Sequence, residues 1–258
     1  MKKLVFFDID GTLIPENATE IPTHVVDAVK KIMNDGVYVF ICTGRCYHQA
    51  KDIIETIGTH NYICSNGQEV CFNDEILYMH TFNNEQKQEV IKLLEDYGVN
   101  WGFETRENLC IPDTKSADDT QKLLEGYNFN NLATNVSPDN KDIYQFWING
   151  NGAKTEELLE ILQKDYTYYR WEDDLYEILP GVENKAKGID IVKKHINEEC
   201  ITYGFGDGVN DLEMMKNVDH SVCMGNGIEA VKQASEFVST NSSDNGIING
   251  LKMVGLYE

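Results

Sequence analysis

Over its first eighty residues the chain alternates short apolar runs with segments of helical spacing. Leu4 to Phe7 is uninterrupted and of strand length. Pro22 to Asn34 carries Val25, Val26, Val29, Ile32 and Met33 at helical spacing, with Gly36 placed to end the helix. A second apolar run, Val37 to Cys42, precedes a helical pattern from Cys46 to Ile57. Tyr62 to Cys64 gives a third strand. Glu69 to Phe72 and Ile76 to Met79 pair as a hairpin across Asn73-Asp74. Strand, loop and helix in repetition predict a parallel sheet with helices on its faces, and ligands of such sheets collect at the strand carboxyl ends.

The pattern then changes. Helices are predicted over Glu85–Tyr97, Ser116–Tyr127 and Ala153–Lys164. Strands are predicted over Val99–Thr105, Asn108–Ile111, Ile143–Ile148, Thr167–Trp171 and Leu175–Leu179. Successive strands without helices between them imply a mainly antiparallel sheet, hence an inserted second domain. The alternating pattern resumes after Lys187-Gly188, with a helix to His195 and a strand from Ile201 to Phe205. The expected fold is therefore α/β: a Rossmann-like core of residues 1–82 and 185–258, with an α+β cap of residues 83–184 between its halves.

Four polar clusters fall at the ends of strands or the starts of helices in this core. They are Asp8 with Asp10, Thr43-Gly44-Arg45, Lys187, and Asp207 with Asn210 and Asp211. At the carboxyl ends of one parallel sheet they converge on a single cleft and comprise the parts that phosphoryl transfer requires. Carboxylates held together repel, and a divalent cation with oxygen ligands, magnesium, is the simple reason to gather them. Asp8 is the candidate nucleophile, competent once metal and lysine have shielded the phosphate's charge. Asp10, in the turn that Gly11 permits, is the candidate for protonating the leaving alcohol and later deprotonating water. Thr43 and the N–H of Gly44 sit where a strand enters a helix and can grip phosphate oxygens. Lys187 supplies a point charge, with Lys185 as an alternative two residues earlier. Asp207 would hold the metal, while Asn210 and Asp211 orient ligands or the lysine. For Arg45 a salt bridge or helix-start contact is favoured over chemistry.

Phe7-Asp8-Ile9-Asp10-Gly11-Thr12, Cys42-Thr43-Gly44-Arg45, Lys187-Gly188 and Gly206-Asp207-Gly208-Val209-Asn210-Asp211 resemble, in order, the four motifs of the haloacid dehalogenase superfamily. The large mid-chain insertion is similar to that of its Cof-type phosphatases. The resemblance covers essentially the whole chain. It implies a magnesium-dependent phosphatase that forms an aspartyl-phosphate on Asp8. It also implies magnesium bound by Asp8, the Asp10 carbonyl and Asp207, and phosphate contacts from the Ile9 backbone, Thr43, Gly44, Lys187 and Asn210. The implied substrate is a small phosphate monoester, a sugar phosphate or a phosphorylated cofactor precursor. A phosphosugar mutase and a phosphate-binding protein without turnover are the alternatives.

Charge and composition narrow the remaining possibilities. A net charge of -21 across 258 residues repels polyanions, so nucleic acid is not an expected partner. Asp8 and Asp10 interrupt the first apolar run too early for a signal-peptide core, and no run approaches the length of a membrane span. Seven scattered cysteines without CxxC spacing suit free thiols in a cytoplasm. The three tryptophans, Trp101, Trp147 and Trp171, fall in the insertion with Phe103, Tyr144, Phe146, Tyr168 and Tyr169, mostly as core. Arg106 and Arg170 are candidate anion-recognising residues of the cap.

Overall fold

The computed structural model describes residues 1–114, 131–150, 152–170 and 174–258. The predicted helix Ser116–Tyr127 and the indole of Trp171 lie outside the described residues. Contacts divide the chain into two compact units. One comprises Met1–Arg45, Ala50–Met79 and Asn184–Glu258; the other comprises Cys46–Gln49 and His80–Glu183.

The first unit is built on an eight-stranded sheet in the order β14-β13-β12-β1-β2-β3-β4-β5. At its centre β1 (Lys2–Phe7) runs parallel to β2 (Tyr38–Cys42) on one side and β12 (Cys200–Gly206) on the other. The register sets Phe7 opposite Ile41 and Phe205, so the loops after all three strands open at one edge. Strand β3 (Tyr62–Cys64) joins β2 in parallel; β13 (His220–Cys223) and β14 (Phe237–Val238) extend the other side, also parallel. Strands β4 (Glu69–Phe72) and β5 (Glu75–Met79) close the edge as an antiparallel hairpin. Asn73 and Asp74 turn it with φ of 51° and 64°, the sign that both central positions of a type I′ turn require.

Central strands covered on both faces read as unbroken apolar runs, and Leu4, Val5, Phe6 and Phe7 are all fully buried. Phe6 stacks on Phe40, and Phe40 on Phe72, carrying the core across three strands. Helices α1 (Thr23–Asn34) and α2 (Tyr47–Ile57) follow β1 and β2.

The second unit holds a six-stranded sheet in which β10 (Tyr166–Arg170), β11 (Leu175–Pro180), β9 (Gln145–Asn149), β6 (Asn100–Glu104), β7 and β8 lie side by side in that order. Its pairings are antiparallel except that β7 (Leu109–Pro112) runs parallel to β8 (Leu132–Val136). Strand β8 carries no strong apolar alternation and is not foreseen from the sequence. Helices α3 (Asn84–Tyr97) and α4 (Ala153–Leu162) pack on this sheet. Asn83 and Gln86 cap α3 reciprocally, and Gly98 ends it at φ 65°. Trp101, Phe103, Tyr144 and Phe146 are buried here as core, and Trp147 nearly so.

The helix carrying the two candidate lysines, α5 (Lys185–Ile196), starts two residues before Lys187. The Asn184 side chain accepts from the Lys187 N–H and so fixes the start. All seven cysteines are free. Among the described residues, no helix is long and apolar enough to cross a membrane.

Candidate active site

The acids assemble where the parallel strands end. Asp8 is the first residue after β1, and its N–H is held by the Phe205 carbonyl of β12 at 2.9 Å. Asp207 follows β12 directly. Asp8, Asp207 and Asp211 each bring a carboxylate oxygen to within 4.8 Å of the others.

Among the described residues, the cation that lies between them is Lys185. Its ammonium is fully buried, 2.5 Å from Asp8 Oδ1 and 2.5 Å from Asp211 Oδ1. The structure brings Lys185 to these acids in place of Lys187, whose Nζ donates to the Tyr78 hydroxyl at 2.8 Å and lies 4.8 Å from that ring's centre. Helix phase explains the exchange. Lys185, Gly188, Ile189, Val192 and Ile196 form the buried stripe of α5, and two residues along a helix rotate a side chain to another face.

The electrostatics follow from burial. Desolvation, followed by the neighbouring Asp211, holds the Asp8 carboxyl well above the usual carboxylate range, against the lowering influence of Lys185. Burial likewise pushes Asp207 up to about 7, although the Thr12 hydroxyl donates to it at 2.5 Å. Burial alone would drive Lys185 toward neutrality. The Asp211 and Asp8 carboxylates outweigh it and keep the ammonium charged.

Asp211 is spent on positioning. One oxygen takes Lys185, and the other accepts from the N–H groups of Asp207 and Gly208, both at 2.9 Å. Both oxygens of Asp211 are thus engaged within the protein. Hard carboxylate oxygens gathered around too few cations suit magnesium chemically. The loop Asp8–Ile14 closes over this point: Gly11 has φ 76°, and a Cβ there would overlap the Asp207 carboxylate. Asn226 reaches back to the Gly11 carbonyl at 2.8 Å.

Asp10 is turned outward, gripped by the Arg45 guanidinium through Nε at 2.9 Å and a terminal nitrogen at 2.5 Å. Arg45 thus makes the salt bridge favoured from sequence. Thr43 lies buried at the end of β2, and its hydroxyl accepts from the Arg45 N–H at 3.1 Å. Ile9 is buried in the loop after Asp8, and Gly44 stands between Thr43 and Arg45. Asn210 is buried beside Asp211 and donates to Asn66 at 3.0 Å.

Thr12 and Asn66 were missed from the sequence. Thr12 falls inside a recognised motif, but its partner lies 195 residues away. Within the second unit, Arg106 stacks over Tyr47 at 4.0 Å and Arg170 lies 5.6 Å from the centre of the Tyr176 ring. That unit also buries a His48–Glu104 pair at 3.1 Å.

A parallel sheet with an acid-lysine cluster at its carboxyl edge defines a class of phosphoryl-handling α/β hydrolases, and comparison with known proteins narrows it. The sequence profile of the haloacid dehalogenase-like hydrolases matches residues 5–251. The putative phosphatase YkrA of Bacillus subtilis (strain 168) is 29% identical over 265 residues, covering 98% of each chain. The crystal structure of a hypothetical protein from Geobacillus kaustophilus HTA426 superposes with a TM-score of 0.85 at 32% identity, covering 99% of this chain and 100% of that one. The sugar phosphatase BT4131, of subclass IIB of the superfamily, superposes with a TM-score of 0.82 at 26% identity, with the same coverage. The chain belongs to the haloacid dehalogenase-like hydrolases, of the Cof type.

Proposed function

We propose that this hydrolase is a magnesium-dependent phosphatase that cleaves a small phosphate monoester in two steps through phospho-Asp8. The observation that carries the reading is Lys185 buried between Asp8 and Asp211, with Asp207 alongside. Relatives named as phosphatases support it.

Magnesium held by Asp8, the Asp10 carbonyl and Asp207 would neutralise charge on the phosphoryl oxygens. The Asp8 carboxylate attacks phosphorus, its other oxygen steadied by Lys185, whose charge offsets that of the phosphoryl group. Thr43, the backbone of Ile9 and Gly44, and Asn210 hold the phosphoryl oxygens. Asp10 gives its proton to the departing alkoxide and then takes one from the water that attacks the aspartyl-phosphate, so Asp8 is regenerated and phosphate leaves. To do this Asp10 must leave Arg45. Its side chain is 56% exposed in that pair, and exposed pairs of this kind contribute only about 0.2–1 kcal/mol. We assign the core role to residues 1–82 and 185–258. Residues 83–184 form the cap that selects the leaving group, a sugar or a cofactor precursor, in a soluble cytoplasmic enzyme.

The test is phosphate release from a panel of phosphorylated sugars and cofactors, with and without magnesium, for wild type and Asp8→Asn. Magnesium-dependent release that vanishes in Asp8→Asn is the expected result. Full release by Asp8→Asn would remove Asp8 as nucleophile, and an isomeric sugar phosphate in place of free phosphate would make the enzyme a mutase.

A further inference from the structure

We propose that Asn66 is a positioning residue of the phosphate site, acting through Asn210. The inference rests on the reading of the Asp8–Lys185–Asp207 cluster as a phosphate site.

Three successive residues after β3, Ser65, Asn66 and Gly67, have φ of 49°, 53° and 101°. L-residues avoid this left-handed region, and two in a row outside glycine persist only where the surroundings hold them. Here the surroundings are the site itself. The Ser65 N–H donates to the Arg45 carbonyl at 2.9 Å and the Asn66 N–H to the Thr43 carbonyl at 3.0 Å, so both are bolted to the loop after β2. Gly67 lies against the start of α5: a Cβ there would overlap the Asn184 carbonyl, one residue before Lys185. The Asn66 side chain, with no solvent exposure, accepts from Asn210 Nδ2 at 3.0 Å in the loop after β12. One tripeptide therefore touches the segments that carry Thr43, Lys185 and Asn210.

The Asn66–Asn210 bond also sets which part of Asn210 is left for a ligand. With one amide hydrogen of Asn210 given to Asn66, the carboxamide cannot rotate freely, and its second hydrogen keeps a fixed direction for a phosphoryl oxygen. Among the described residues the Asn66 Nδ2 is buried and finds no partner. Native interiors rarely tolerate an orphan donor, and one is expected where a side chain is placed for function.

The experiment measures inorganic phosphate binding in the presence of magnesium by calorimetry, beside kcat and KM, for Asn66→Gly, Asn210→Ala and the double variant. Glycine keeps the left-handed backbone and removes only the side chain. Phosphate binding about tenfold weaker in Asn66→Gly is expected, the loss of one hydrogen bond's worth of orientation. The melting temperature should fall little, and the double variant should bind no more weakly than Asn210→Ala alone, because Asn66 acts only through Asn210. Binding within twofold of wild type in Asn66→Gly, or losses that multiply in the double variant, would overturn the proposal. Wild-type protein that binds phosphate but releases none from any ester counts against the phosphatase reading, and the binding series still decides the role of Asn66.

Discussion

Exchanging the two lysines of α5 for methionine separates a charge inside the site from one beside it. In Lys185→Met the Asp8 and Asp211 carboxylates lose a cation 2.5 Å from each, at a point with no solvent exposure. Removing one partner of a buried pair costs roughly 3–5 kcal/mol, because the charges left behind stay desolvated. The cluster relieves itself by binding protons, and Lys185 is the group that holds the Asp8 carboxyl down against burial. A protonated Asp8 is no nucleophile, so kcat should fall at least 100-fold, in the range for losing a preorganised charge partner. Lys187→Met gives up a hydrogen bond and a ring contact to Tyr78, with the side chain partly exposed. Its cost should be about 1 kcal/mol, with phosphate release within about threefold of wild type. The assay is magnesium-dependent phosphate release at substrate saturation, with thermal melts on the same preparations. Lys185→Arg serves as a charge-preserving control, which the tight double contact should still reject. Near-normal turnover in Lys185→Met together with its collapse in Lys187→Met would refute the assignment.

Proton and magnesium binding should compete at Asp207. Its carboxyl is raised in the folded protein to about 7, so between roughly pH 4 and 7 the folded state holds more protons than the unfolded chain. Without metal, stability should fall as pH rises through that window, by up to about 1.4 kcal/mol per pH unit for one proton. Magnesium should therefore raise the melting temperature more at pH 7.5 than at pH 5; an equal shift at both would show that Asp207 is not a ligand. Gly11→Ala should cost about 1–2 kcal/mol from φ 76° alone and also push on the Asp207 carboxylate. The expected outcome is a lower melting temperature and a higher magnesium concentration for half-maximal activity, with unchanged values of both as the contrary result.

The parts of this protein legible in its sequence are those governed by local pattern. The runs Leu4–Phe7 and Val37–Cys42 announce buried parallel strands because both faces are covered, and the acids after them stand out against that apolar background. The resemblance favours Lys187 because Gly188 follows it, with Lys185 as the alternative, and the structure places Lys185 beside Asp8. Yet Ile189, Val192 and Ile196 already mark the buried stripe, and extending it backwards reaches 185 and not 187. Thr12 and Asn66 gave no comparable signal, since a threonine and an asparagine in turns are ordinary and their partners, Asp207 and Asn210, lie far along the chain. Strand β8 escaped because its residues Leu132–Val136 are only half buried or exposed and show no alternation to read.

The central strand of the first unit has a further consequence, for synthesis on the ribosome. Strand β1 is made before both of its neighbours and pairs on one side with β2 soon after, but the other neighbour, β12, begins only at Cys200. Thr12 waits for an Asp207 that lies 195 residues downstream, which at ribosomal rates is roughly 10–40 s. During that interval the residues of the second unit that form the core around Trp101, Phe103 and Phe146 emerge. The apolar edge of β1 meanwhile stays open to solvent and to other chains. The nascent protein thus passes through a stage with its central strand unpaired on one side, the stage at which chaperone binding or aggregation competes with maturation.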